Sequence, residues 1–139
     1  MARTPEQILQ ESSTIAVVGA SRSVDKSAGS IPASLQFHGW TVIPVNPHVD
    51  ELLGVKAYPR LTDIPGPVDL VNVFRPSADA PEVARQAVAI GAKALWLQLG
   101  IASPEARRIA EAAGLDYVED RCIAVVRAIN QLDKRSSAA

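Results

Sequence analysis

Three stretches of this sequence hold residues suited to gripping an anion, one offers an amide, and one carries a thiol. Residues 14–30 read TIAVVGASRSVDKSAGS: an apolar run breaks at Gly19 and passes through Ala20, Ser21 and Arg22 to Lys26. A glycine there lets the backbone turn and approach a ligand with no Cβ in the way. Ser21 supplies a hydroxyl, and the N-terminus of a following helix offers free N–H groups and a favourable dipole to a phosphate. Two further apolar runs end in Val45-Asn46-Pro47 and Phe74-Arg75-Pro76, and a fourth ends in Gln98. The thiol is Cys122, directly after Asp120-Arg121.

These residues are useful together only if the fold gathers them, and the elements between them say that it does. Thr4-Pro5-Glu6-Gln7 opens a short helix with a capping box. Ile15–Val18 is a continuous apolar run, as expected of a parallel strand covered on both faces. Gly19–Lys26 is loop. A helix then runs to about His38, with Gly39 beyond it; Pro32 requires its regular part to start near Gly29, placing the proline in the first turn. Strands follow at Trp40–Val45, around Val55–Tyr58 (short), at Asp69–Phe74, Ala94–Leu97 and Asp116–Val118. Asp79 and Glu82 spell a capping box for a helix carrying Val83, Ala87 and Ile90. Ser103-Pro104-Glu105 starts another that ends at Gly114, and a last helix from about Arg121 carries Ile123, Val126 and Ile129 at helical spacing. No repeat or linker interrupts the series. Strand and helix alternate, which implies a parallel sheet with right-handed crossovers and helices on both faces. In such sheets ligands sit at the carboxyl ends of the strands, where the strand order reverses. Gly19–Arg22, Asn46-Pro47, Arg75 and Gln98 all follow strands.

The 139 residues suit a single domain, with its core at about 12–130 and a frayed tail over 131–139. A net charge of −1 and 47% apolar residues give no reason to expect nucleic acid or an anionic membrane as partner. One cysteine suits a reducing compartment. The N-terminus lacks the apolar core of a signal peptide and no apolar run can span a bilayer, so the expected location is cytoplasmic.

Which anion follows from the strand ends. GASR is not GxGxxG, because Ser21 replaces the second glycine and Gly29 lies too far on; alone it reads equally well as a tight turn. Arg22, Lys26 and Arg75 are each ordinary surface charges, but together on one rim of a nearly neutral protein they indicate several phosphates. An NAD site places an acid at the end of the second strand. Here the strand ends in Asn46-Pro47, with Asp50 and Glu51 later in the loop. That fits NAD poorly and tolerates a nucleotide phosphorylated on its ribose, for which NADP and coenzyme A both qualify. Gln98 shares the strand face of Trp96 and is a candidate polar contact.

The motifs IAVVGASR, GWTVIPVNP, DLVNVFRPS, LWLQLGI and DRC, in this order, resemble the small stand-alone CoA-binding proteins. These are similar to the CoA-binding N-terminal domain of the succinyl-CoA synthetase alpha subunit. The resemblance covers about residues 12–127 and implies a Rossmann-like α/β fold, with a mainly parallel five-stranded sheet holding CoA across the strand ends. It carries the phosphate loop onto Gly19, Ala20, Ser21 and Arg22, with Lys26 as an added contact. It carries the nucleotide segments onto Val45, Asn46 and Pro47 and onto Phe74, Arg75 and Pro76. The synthetase's phosphorylated histidine has no counterpart, since neither His38 nor His48 matches its setting.

Little here does chemistry. One cysteine and two distant histidines make no zinc site, and Ser21 has no histidine nearby. Cys122 has two readings: a small buried residue facing the sheet, or a thiol activated by the helix start and Arg121, close enough to the pantetheine thiol for a mixed disulfide with CoA. The expectation is therefore non-catalytic binding of CoA or acyl-CoA. Two alternatives stand: a CoA-binding component of a multi-subunit acyl-CoA synthetase, and an NADP- or NAD-binding regulatory module. A protein partner or a homo-oligomer remains open.

Overall fold

The apolar runs form the centre of the molecule, whose structure, a computed structural model, describes residues 2–135. Five strands, β1 (Thr14–Val18), β2 (Thr41–Val45), β5 (Leu70–Val73), β6 (Ala94–Leu97) and β7 (Asp116–Val118), pair in the order β2-β1-β5-β6-β7, all parallel. A small antiparallel hairpin, β3 (Glu51–Leu52) and β4 (Val55–Lys56), stands apart. The short strand expected at Val55–Tyr58 is half of this hairpin, and Tyr58 bridges to Val45.

Alternation along each strand sorts the core into two layers. Ala16, Val18, Val71, Val73, Leu95 and Leu97 face α3 (Ala80–Ala89) and α4 (Pro104–Ala112). Ile15, Val17, Leu70 and Trp96 face α1 (Pro5–Glu11), α2 (Ser27–Phe37) and α5 (Ile123–Ile129). This is the Rossmann-like α/β arrangement, with helices on both faces of the sheet. Trp96 is fully buried, its Nε1 donating to the Arg121 carbonyl at 2.9 Å, and Trp40 donates to Leu9 at 3.1 Å. Both are core residues. Among the described residues, no helix is long and apolar enough to cross a membrane.

Helix ends follow the sequence in places and depart from it in others. Thr4 and Gln7 form the expected capping box, and Ser103 caps α4 through the Ala106 N–H at 3.1 Å. The Asp79–Glu82 box does not form. Arginines take both carboxylates: Arg75 Nη2 donates to Asp79 at 2.9 Å, and Arg85 Nε donates to Glu82 at 3.0 Å. Pro32 is not in a first turn either. The helix α2 starts at Ser27 and carries Pro32 as its sixth residue. In α5, Ile123 and Val126 are buried but Ile129 is 75% exposed.

The tail expected to fray is docked as far as it is described. Leu132 is buried, the Lys134 N–H donates to the His38 carbonyl at 2.7 Å, and its Nζ donates to the Gln10 carbonyl. Gly39 (φ +100°) makes room for this segment, since a Cβ there would lie 2.6 Å from the Arg135 nitrogen. Residues 136–139 of that tail lie outside the described residues.

Candidate functional site

Strand order places the crevice. From β1 the chain crosses to β2 on one side, then returns past β1 to β5 on the other, so the loops after β1 and β5 diverge at their carboxyl ends. Gly19 occupies this point with φ +87°, a left-handed conformation that L side chains resist. A Cβ there would also sit 3.1 Å from Arg75 Cδ. Glycine thus brings the two loops together, and the Arg75 stem covers it.

Beyond Gly19 the peptide groups are tied down alternately. The Gly19 N–H donates to the Val45 carbonyl at 3.0 Å, while the Val18 carbonyl accepts from Phe74 at 2.9 Å. The peptide joining Ala20 to Ser21 is also held at both ends: Asn46 Nδ2 donates to the Ala20 carbonyl at 2.9 Å, and the Ser21 N–H donates to the Ala28 carbonyl at 2.9 Å. Asn46 Oδ1 in turn accepts from the His48 N–H at 2.7 Å. Among the described residues the N–H groups of Ala20 and Arg22 have no partner. Over Gly19–Arg22 the backbone therefore offers two donors where the sequence suggests a run of four.

Gly29 completes this loop. A Cβ there would collide with the Ser23 carbonyl oxygen, so only glycine lets residues 21–23 lie against α2. It provides the close helix packing of a dinucleotide fingerprint at a spacing the fingerprint does not contain.

The loop borders a cleft of about 740 Å³. Of the candidate residues, Gly19, Ala20, Ser21, Arg22, Val45, Asn46, Pro47 and Arg75 line it. Lys26, Phe74, Pro76, Gln98 and Cys122 do not. Lys26 is the exposed residue before α2, and Phe74 packs against the α2–α5 layer. Gln98 is 4% exposed and turned inward: its Oε1 accepts from Asn72 Nδ2 at 3.3 Å and from the Ile123 N–H at 3.2 Å. It braces β5, β6 and the start of α5. Cys122 is half-buried at that helix start. A smaller cavity of about 330 Å³ lies behind Ser21 and Arg22, against the β3–β4 hairpin.

The far wall comes from α3 and α4 and includes Glu82, whose spacing from Asp79 points only to a cap. Arg85 reaches Glu82 at 3.0 Å and Glu105 at 3.9 Å, and Arg75 reaches Asp79 at 2.9 Å. Gln86 Oε1 accepts the Leu61 N–H at 3.2 Å. Arg85, and after it Gln86, hold the Glu82 carboxyl below the usual carboxylate range. These charges are satisfied by one another. Arg22 is exposed and pairs with no carboxylate among the described residues. The described residues contain no group of three potential metal ligands, and His38 Nδ1 hydrogen-bonds to the Ser34 carbonyl at 2.8 Å.

The chain is similar to known proteins over most of its length. The family model described as a CoA binding domain matches residues 13–128. The uncharacterized protein YneT of Bacillus subtilis is 40% identical over 126 residues, covering 91% of this chain and 93% of YneT. The ADP-forming acetate–CoA ligase II of Archaeoglobus fulgidus is 38% identical over 82 residues, 58% of this chain but only 12% of the ligase. Among solved structures, a hypothetical protein from Pyrococcus horikoshii superposes with a TM-score of 0.87 at 36% identity, covering 94% of this chain and 92% of that one.

Proposed function

The chain belongs to the CoA binding domain family, and from that premise we propose that it binds coenzyme A, free or acylated, at the carboxyl ends of β1, β2 and β5. The observation that carries this reading is the pair of unpartnered N–H groups at Ala20 and Arg22 beside the unpaired Arg22 guanidinium. Two N–H donors without a partner among the described residues and an unpaired cation suit a diphosphate. Lys26, exposed one residue before α2, lies outside the cleft lining and is a further positive charge at the end of the same loop. The Asn46-Pro47 turn forms the neighbouring wall, and its lack of a carboxylate leaves room for a phosphorylated ribose.

Binding is the whole of the activity proposed for this chain by itself. A nucleophile needs a base within hydrogen-bond reach. Cys122 lies outside the cleft, and the carboxylates Asp79, Glu82 and Glu105 lining it are within ion-pair distance of Arg75 or Arg85. Calorimetric titration of CoA into the wild type and into Arg22→Ala tests the reading. Saturable binding that weakens in the variant is the expected result; equal binding by both removes Arg22 from the site.

A second reading has its own observation. In the Archaeoglobus protein, named as an ADP-forming acetate–CoA ligase, the matching segment is 12% of a much longer chain. This chain would then supply the CoA site to a separate synthetase subunit. Acyl-CoA formation that appears only on mixing the two proteins would favour it.

A further inference from the structure

A proline inside a helix has no N–H to give the carbonyl four residues back, and its ring crowds that carbonyl. Pro32 is the sixth residue of the eleven-residue α2, so the carbonyl it leaves unserved is that of Ala28. This is the carbonyl that accepts the Ser21 N–H at 2.9 Å. A helical bond forbidden by covalent structure is thus replaced by a tertiary bond to the loop. The opposite end of the same peptide is held by Asn46 Nδ2 on the Ala20 carbonyl, at 2.9 Å. Held at both ends, the peptide between Ala20 and Ser21 cannot rotate, and its orientation sets those of its neighbours. On either side of it, the Ala20 and Arg22 N–H groups have no acceptor among the described residues.

We infer that Pro32, buried and outside the cleft, is a positioning residue for the anion site: by denying Ala28 its helical partner, it fixes the loop that presents the free N–H groups. Proline is the least favourable residue in a helix interior, and this role gives a reason for it at a position where alanine would make a better helix. The inference rests on the CoA reading only for the identity of the anion.

Pro32→Ala restores an N–H that competes for the Ala28 carbonyl, and it should separate stability from binding. Three quantities are measured: amide hydrogen exchange at Ser21 by NMR, CoA affinity by calorimetry, and the thermal midpoint. Exchange at Ser21 should become about tenfold faster and CoA affinity about five- to tenfold weaker, as a donor site loses preorganisation. The midpoint should stay the same or rise. If the alanine variant unfolds, Pro32→Val supplies the same N–H while filling more of the buried volume. Failure of both to fold would make Pro32 a packing residue and overturn the inference. Unchanged exchange would overturn it as well, as would faster exchange with unchanged affinity. If the wild type itself ignores CoA, the ligand reading fails, and the exchange measurement still shows whether the clamp exists.

Discussion

The two ends of the sheet are bonded in opposite ways. At the amino ends of the strands, Asp69 accepts the N–H groups of Ser13 and Thr14 at 2.9 and 3.0 Å. Arg3 bridges Asp116 at 2.7 Å and Glu11 at 3.0 Å, tying α1 to β7. At the carboxyl ends the backbone closes on itself only at alternate peptides, leaving the donors of Ala20 and Arg22 and the charge of Arg22 without a partner among the described residues. Strand direction and pleat are the same at both ends. On the proposed function the amino end serves stability and the carboxyl end a ligand, and variants should then move one property without the other.

The largest effect belongs to Gly19→Val, which breaks the ligand end itself. It puts a branched side chain at φ +87° and a Cβ 3.1 Å from Arg75 Cδ. It should cost roughly 2–3 kcal/mol in urea denaturation and abolish CoA binding in calorimetry. Next is Asp69→Ala at the opposite end, which removes the acceptor for two N–H groups. A loss of about 1–2 kcal/mol in urea denaturation is expected, with CoA affinity unchanged. Arg22→Ala reverses that pattern: CoA affinity should drop about tenfold, roughly 1.4 kcal/mol, with stability unaltered.

Acid sharpens the contrast. Burial pushes the Asp69 carboxyl up, but the N–H groups of Thr14 and Ser13, with Lys93 and Lys134 nearby, outweigh it and hold it below its ordinary value. A pKa lower in the folded than in the unfolded chain stabilises fully above the unfolded value of about 4 and ceases to do so as pH falls through the folded one. Between about pH 5 and 3 the wild type should lose more stability than Asp69→Ala, measured by denaturation at each pH. The smallest effect is expected at Arg85→Ala on the self-paired α3 wall, with CoA affinity within about twofold of wild type, since exposed ion pairs contribute little.

The sequence carries the fold because strands covered on both faces read as apolar runs, and a broken run such as Val18-Gly19 marks its own end. Asn46-Pro47 was equally visible as a strand stop. What those residues do at the site was not, because it depends on partners distant in sequence: Asn46 reaches back to Ala20, and Ser21 reaches forward to Ala28. Gln98 shows the limit of parity. Sharing the face of Trp96 was readable, but the need of Ile123 for an acceptor appears only once α5 has docked. Asp79 and Glu82 failed as a capping box because Arg75 and Arg85 hold their carboxylates, a competition that spacing alone does not reveal. Pro32 looked like a boundary because its missing bond was counted against the helix, whereas the loop uses the carbonyl it leaves free.

The most direct test compares CoA, dephospho-CoA, NADP and NAD by calorimetry on wild-type protein freed of bound ligand by unfolding and refolding. CoA should bind, dephospho-CoA should bind about tenfold more weakly as it lacks the ribose phosphate, and NADP and NAD should give no heat. Binding of NADP or NAD with CoA silent would contradict the account and make the cleft a nicotinamide-nucleotide site.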